Sequence, residues 1–369
     1  MSYPASAADP VNHRLLCVAE DAVQGFHRYP FRTIARRCGL AEQEVMERLK
    51  AMLAAGTIRR VRQTLLSTSL ADGALVAWQV PEEKLAAAYD WLKTHDPFTG
   101  HIVIRESDSP DAPGSQYRLW TTLKVPTGCG SVQEHNNLLM RHTGALDWVA
   151  LPVVGMFALG VGHARRAGLK PGDRLPEPPL MQRPSHPQLS KHEWAVLLSL
   201  KESLLPQELV SSPWEQRAAA IGMSMDEYCS IAENLDARKI IGRFATFLDH
   251  QRGGSNRRTG TGAAGLFHWA VPAGMEERAG AECGRHLCMT HCYWRSGGDA
   301  FGGAQIMGVV HAATRSEVLA HKAAIDEHLA SCGIPVHHTA VFWSLKAEIR
   351  PSEISPLIYR DWLHSMQEK

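Results

Sequence analysis

The chain has 369 residues, of which 44% are hydrophobic and 21% charged, and its formal net charge is +1. That length and balance belong to a globular chain of about two to four domains, and exclude a disordered polyelectrolyte or a protein that coats nucleic acid or anionic membrane through bulk charge. No run of about 18 apolar residues marks a transmembrane helix, and the N-terminus MSYPASAADPVNH lacks the basic-then-apolar pattern of a secretory signal, so a cytoplasmic protein with its eight cysteines as thiols is expected.

In chain order, the first recognisable unit is CGLAEQEVMERLKAMLAAGTIRRVRQTLL, 38–66. It reads as the end of a short helix, a turn at Gly39, an amphipathic helix with Val45, Leu49, Met52 and Leu53 at helical spacing, and an apolar strand. This is the pattern of a winged helix-turn-helix, assigned to 1–68. The next unit, 69–167, runs strand (74–80), helix (82–95), strand pair (HIVIRE and YRLWTTLKV), helix (near 131–142) and strand (LDWVALPVVGMF), the βαββαβ order of a ferredoxin-like domain. The stretch 168–188 is rich in Pro and Gly and reads as a linker.

The same order then returns. In IGMSMDEYCSIAENLDARKIIGRFATFLDH, 221–250, Gly222, Glu227, Ile241 and Arg243 repeat Gly39, Glu44, Ile58 and Arg60 at a single offset of 183. A second winged helix-turn-helix is expected at 189–250 and a second ferredoxin-like domain at 251–350, with a tail at 351–369. The second ferredoxin-like unit comprises LFHWAVP, a helix at 274–286, MTHCYWR, AQIMGVVH, a helix at 315–330 and HHTAVFWSL. It opens on a Gly-rich loop whose Arg252, Arg257 and Arg258 are suited to closing over an anion. The expected fold class is therefore α+β, a tandem duplication of a winged helix-turn-helix plus a ferredoxin-like domain, the two halves pairing as a pseudo-dimer and leaving further homo-oligomerisation open.

The densest chemistry lies in CMTHCYWRSGG, 288–298. Strand alternation puts Cys288, Thr290 and Cys292 on one face and His291, Tyr293 and Arg295 on the other. His291 and Cys292 therefore cannot hold one small ion together, and Cys-x-x-His-Cys is the wrong order for covalent haem attachment. The bland reading of Cys283, Cys288 and Cys292, as small core residues, is preferred to a metal site. The first half carries His101, Val103 and Arg105 at the corresponding positions of its own strand. A lone strand histidine is most often a hydrogen-bonded core residue; two at equivalent positions, each with Arg four residues on, favour a shared functional role.

The architecture resembles the Lrp/AsnC regulators, and its duplication in one chain resembles, more narrowly, the sirohaem decarboxylases, whose Ser-His-x-Tyr element followed by Arg is similar to Thr290-His291-Cys292-Tyr293-Trp294-Arg295 and whose Tyr-Asn-Leu-Trp element is similar to QYRLWTTL, 116–123. The resemblance covers roughly 10–350. The first copy departs from the pattern, with Val103 in place of the tyrosine and the insertion SDSPDAPGS between its two strands.

The resemblance implies decarboxylation of the acetate side chains of sirohaem or a related iron tetrapyrrole, in haem or d1-type haem synthesis, with no added cofactor. It implies catalytic roles for His291, His101 and Tyr293, either histidine being alternatively an iron ligand of the bound tetrapyrrole. Substrate contacts are expected from Arg295, Arg105, Arg118, Tyr117, Trp294 and the three loop arginines. Two other readings stand beside it: a transcriptional regulator, and a tetrapyrrole binder without catalysis. The helices that would enter a DNA groove, 42–54 and 225–237, carry Glu42, Glu44 and Glu47, and Asp226, Glu227, Glu233 and Asp236, respectively, so specific DNA binding is not expected.

Overall fold

The structure is a computed structural model that describes residues 3–66, 70–159, 164, 168–185, 187–248 and 262–367. The first half contains α1 (Pro10–Ala19), β1 (Val23–Gln24), α2 (Pro30–Cys38), α3 (Glu42–Ala54), β2 (Ile58–Leu65), β3 (Ala71–Gln79), α4 (Glu82–His95), β4 (Thr99–Ser107), β5 (Leu119–Pro126), α5 (Val132–Thr143) and β6 (Asp147–Leu159). The second half contains α6 (Lys191–Lys201), α7 (Trp214–Ala220), α8 (Met225–Ala237), β7 (Ile241–Leu248), β8 (Ala263–Ala270), α9 (Glu276–Gly284), β9 (Met289–Arg295), β10 (Ile306–Ala312), α10 (Arg315–Ser331), β11 (His338–Ile349) and α11 (Pro356–Gln367). Among the described residues no helix is long and apolar enough to cross a membrane.

These elements do not separate into a first and a second half. They form two compact units, each drawn from both: one from the described parts of Met1–Leu66 and Pro187–Thr261, the other from those of Ser67–Leu159, Leu169–His186 and Gly262–Lys369.

In the first unit α2 ends at Gly39, whose φ of 65° is the left-handed conformation that lets the chain turn sharply into α3. Gly222, at φ 73°, makes the same turn between α7 and α8. The three strands form one antiparallel sheet in the order β1-β7-β2, so β7 of the second half lies between two strands of the first half, with Val23 opposite Phe244 and Val61 opposite Thr246. Leu15, Phe31, Ile34, Leu49, Trp214, Tyr228 and Phe244 are fully buried in this unit. The acidic helix α8 is met by the other copy: Arg28 pairs with Asp226 at 2.7 Å and Glu233 at 3.1 Å, and Asp236 accepts the backbone N–H of Phe26 at 3.0 Å.

The second unit is a closed eight-stranded barrel, β10-β8-β11-β4-β5-β3-β6-β9. Each half contributes four strands in the same internal order, second-third-first-fourth, and each half's last strand pairs with the other half's second strand. Those two seams are β11 with β4 and β6 with β9. Alternation sorts side chains into an outer and an inner layer. Outward, Val76, Trp78, Ile102, Leu119 and Leu123 pack under α4, α5 and α11, while Phe267, Trp269, Cys292 and Ile306 pack under α9 and α10. Inward, Leu75, Ala77, Val103, Trp120, Leu151, Leu266, Phe301, Met307 and Phe342 fill the interior.

Two segments differ from the expectations. Residues expected as a linker are laid down on the barrel by backbone pairing, Arg174 with His286 and Met156 with Gln182, because the exposed edge amides there find partners. Residues expected as a tail form α11, whose Tyr359, Trp362 and Met366 are buried against the first half's helices.

Candidate functional site

β9 presents two faces. Tyr293 lies opposite Met307 and His291 opposite Val309, both residues of the inner layer or packed on it, so His291, Tyr293 and Arg295 point inward. Trp294 lies opposite Ile306 and packs with the outer core under the helices. Trp294 is therefore not beside the histidine. Its expected place in a substrate slot is corrected by strand alternation, which sends neighbouring residues to opposite faces.

The inward residues touch one another. The Arg295 guanidinium sits 4.5 Å over the Tyr293 ring, and the Tyr293 and His291 rings are stacked at 6.2 Å and 16°. Thr290 Oγ1 donates to the Val309 carbonyl at 2.9 Å, so its oxygen accepts from His291 Nδ1–H at 3.2 Å. That keeps a proton on Nδ1 and makes Nε2 the nitrogen at which the ring gains or loses one.

β4 repeats the plan. Val103 belongs to the inner layer, and His101 and Arg105 share its face by alternation. His101 lies opposite Ile349, as His291 lies opposite Leu159; both positions are 190 residues apart. Each arginine crosses its seam to a main-chain carbonyl of the other half: Arg105 Nη1 to Phe342 at 3.4 Å, and Arg295 Nη1 to Leu151 at 2.8 Å. Arg105 also donates to Ser344 Oγ at 2.7 Å. In both residues Nε is buried with no hydrogen-bond partner among the described residues. Burial pushes both guanidinium groups down to about 10, so they stay charged at neutral pH while desolvated, the state in which a carboxylate binds most strongly.

Of the other expected residues, Tyr117 is buried and donates to Asp147 Oδ2 at 2.7 Å; burial and that carboxylate push its hydroxyl up to about 12. It packs on Phe301 and serves the barrel core. Arg118 ties the Arg105 carbonyl, at 2.6 Å, to Glu82 at the start of α4, at 3.0 Å, and so braces the backbone of the site strand. Arg252, Arg257 and Arg258 lie outside the described residues. Cys283, Cys288 and Cys292 are buried, and burial raises the thiols of Cys283 and Cys292 well above the ordinary range, as inert core residues require.

Two inward residues escaped the sequence reading. Lys124, half-buried on β5, is pushed down to about 7 by burial and by the nearby Arg295. It lines a cavity of about 370 Å³ with Asp72, Gly73, Ser131, Pro152 and Val153. His268 on β8 is fully buried against Phe301, Phe342 and His338, and burial pushes it down to about 3, so it is neutral. Both sit at alternate positions of apolar strands, LFHWAV and WTTLKV, and the only available signal was a titratable residue in register with inward apolar ones.

Comparison with known proteins bears on this geometry. A family described as siroheme decarboxylase NirDL-like HTH domain matches residues 26–59. The siroheme decarboxylase of Hydrogenobacter thermophilus is 24% identical over 74% of this chain and 75% of its own. The siroheme decarboxylase NirDL subunit of Paracoccus pantotrophus is 26% identical over 79% of this chain and 81% of its own. A crystal structure of the siroheme decarboxylase NirDL, in co-complex with an iron-uroporphyrin III analogue, superposes with a TM-score of 0.67 at 18% identity, covering 97% of this chain and 99% of that one; this likeness concerns the fold. A matching domain, relatives of one kind along most of their length and a shared fold make this chain similar to the sirohaem decarboxylases.

Proposed function

We propose that the chain is a carboxy-lyase that removes acetate carboxyl groups from sirohaem or a closely related iron tetrapyrrole, on a scaffold of two winged helix-turn-helix modules and two ferredoxin-like modules. The observation that carries this reading is the repeated inward pair, His101 with Arg105 and His291 with Arg295, each arginine buried, charged and with Nε unused. A tetrapyrrole is an apolar disc with a carboxylate rim, and a desolvated guanidinium among aromatic residues suits such a rim.

Decarboxylation converts the side chain –CH2–CO2⁻ and one proton into –CH3 and CO2. The electron pair left on carbon is delocalised into the macrocycle, so no further cofactor is needed. The protein orients the leaving carboxylate and delivers the proton. Arg105 and Arg295 do the first. His291 does the second as the imidazolium: Nδ1–H stays on Thr290, Nε2–H gives its proton to the carbon, and solvent restores that proton. Tyr293, stacked on His291, holds the ring. The same Nε2 is the atom that would meet the iron if His291 acted as a ligand. The regulator reading is disfavoured because α8 is acidic and its carboxylates pair with Arg28 of the other copy.

The test is anaerobic incubation with sirohaem and measurement of product mass. Loss of two carboxyl groups means both seams react and loss of one means a single competent seam. A Soret shift on binding without any mass loss would leave a binder and overturn the enzyme reading.

A further inference from the structure

Outside the barrel interior, α9 and α10 end in a polar cluster that decarboxylation does not use. Glu282 and His286 are four residues apart at the end of α9, and His328 and Cys332 four apart at the end of α10, so each helix end offers two metal-ligand side chains on one face. Glu282 Oε2 is 2.7 Å from His328 Nε2, and Cys332 Sγ is 3.7 Å from the same nitrogen. One ligand atom from each of these three residues lies within 4.8 Å of the others. The His286 ring is 5.2 Å from the His328 ring at 65° and only 2% exposed. Neither of its nitrogens has a hydrogen-bond partner among the described residues. A buried imidazole left wholly unpaired in a polar cluster asks for a partner that the chain alone does not supply.

We propose that Glu282, His286, His328 and Cys332 bind a single divalent ion of the zinc class. Two imidazoles, one thiolate and one carboxylate are the donor mix of a four-coordinate site for a borderline-soft cation, and hard cations such as calcium or magnesium would want more oxygen. The Arg174 guanidinium contacts His328 Nδ1 and keeps a positive charge at the cluster, where it would compete with a bound cation. It belongs to a segment held by main-chain bonds, Leu175 N–H to the Arg285 carbonyl at 2.9 Å and Leu287 N–H to the Asp173 carbonyl at 3.0 Å, so the side chain can swing out while its backbone stays. Arg278 fixes the Cys332 carbonyl at 2.6 Å, Arg285 lies 3.4 Å from Glu282, His321 faces His286, and Asp173 and Glu317 in turn face His321. The ion would clamp α9 to α10. Because Cys292 Sγ reaches the Gly280 carbonyl on α9 at 3.5 Å, the clamp stiffens the backing of the strand that carries His291.

The experiment uses the untagged full-length chain, stripped with chelator and titrated with Zn²⁺ and Co²⁺ in the absence of tetrapyrrole. One equivalent is expected to bind, Co²⁺ giving a thiolate charge-transfer band and intensified visible bands of four-coordinate cobalt, and the melting temperature should rise with metal. Cys332→Ser should abolish the charge-transfer band. His328→Gln should weaken binding by more than the ~10- to 100-fold of outer-shell changes. Arg174→Ala should tighten it by removing the competing charge. Circular dichroism checks that each variant is folded, and the conservative His286→Gln gives a second reading should His328→Gln unfold. Absence of stoichiometric binding, cobalt spectra without a thiolate band, or affinity unchanged in both Cys332→Ser and His328→Gln would each overturn the site.

Discussion

At the β9–β6 seam His291 stands between Thr290, which fixes its tautomer, and Tyr293, on which it stacks, and Arg295 lies over the tyrosine. At the β4–β11 seam the corresponding positions hold His101, Val103 and Arg105, and Ser344 takes the arginine. The register also places Lys124, near Arg295, where the other half has His311, and Ala77 where the other half has His268. One plan of backbone and arginine is thus furnished twice with different polar groups. The pairing of each half's second strand with the other's last strand makes both candidate sites joint property of the two halves, and under the proposed function the neighbours of each histidine decide how well it handles a proton.

The largest effect should come from the histidines. His291→Ala is expected to lower decarboxylation by about 10²-fold or more, the range of lost general acid catalysis. His101→Ala should cost less, or stop only one of two carboxyl losses. Single-turnover assays with product masses decide between them, and a greater loss at His101 would invert the ranking of the seams. Next come the arginines. Arg105→Ala and Arg295→Ala should each reduce kcat/KM by roughly 10- to 100-fold, the worth of a charge-assisted hydrogen bond, and Lys at either position should not restore it because the forked donor geometry is lost. Equal losses would mean that both seams bind carboxylates alike and differ only in proton handling.

Lys124 gives a smaller, pH-dependent difference. Its ammonium is charged below about pH 7 and neutral above, whereas the tetrapyrrole carboxylates are ionised throughout this range. Substrate affinity should therefore fall about fivefold as pH rises through 7, and Lys124→Gln should flatten that step. A titration by Soret change at several pH values reads it, and an unchanged step in the variant would remove Lys124 from the site. The smallest effect is expected at His268. It is neutral and has no hydrogen-bond partner among the described residues, so His268→Leu should leave thermal stability unchanged or slightly raised, since an apolar side chain of similar size removes an unsatisfied polar group. A marked loss of tetrapyrrole affinity with an unchanged melting temperature would instead make His268 a ligand contact peculiar to the second half.

The outer layers differ as well. The first half's helices are sealed by α11, with Phe98, Tyr359 and Trp362 packed edge-on and His135 held between Tyr359 at 3.0 Å and Asp96 at 3.4 Å. The second half's helices are covered instead by the 173–175 segment and end in His286, whose ring nitrogens have no hydrogen-bond partner among the described residues. Apolar closure and polar closure of the same helix pair are the two solutions.

Periodicity made the elements of both copies legible, since helical and strand spacing are local properties of the chain, and alternation along MTHCYWR correctly grouped His291, Tyr293 and Arg295. The same alternation already assigned Trp294 to the opposite face; counting it in the substrate slot gave weight to adjacency along the chain where the pleat separates neighbours. What tertiary structure alone decided was pairing at long range: β4 against β11, β6 against β9, and β7 between β1 and β2. Those pairings bring Leu151 to Arg295, Phe342 to Arg105 and Lys124 near Arg295, across separations that leave no trace in local pattern. They also turned the expected linker into a paired segment and the expected tail into α11, because exposed backbone and apolar helix faces on the barrel were available to be covered. The residue types carry the chemistry, and closure of the barrel sets which of them share a site.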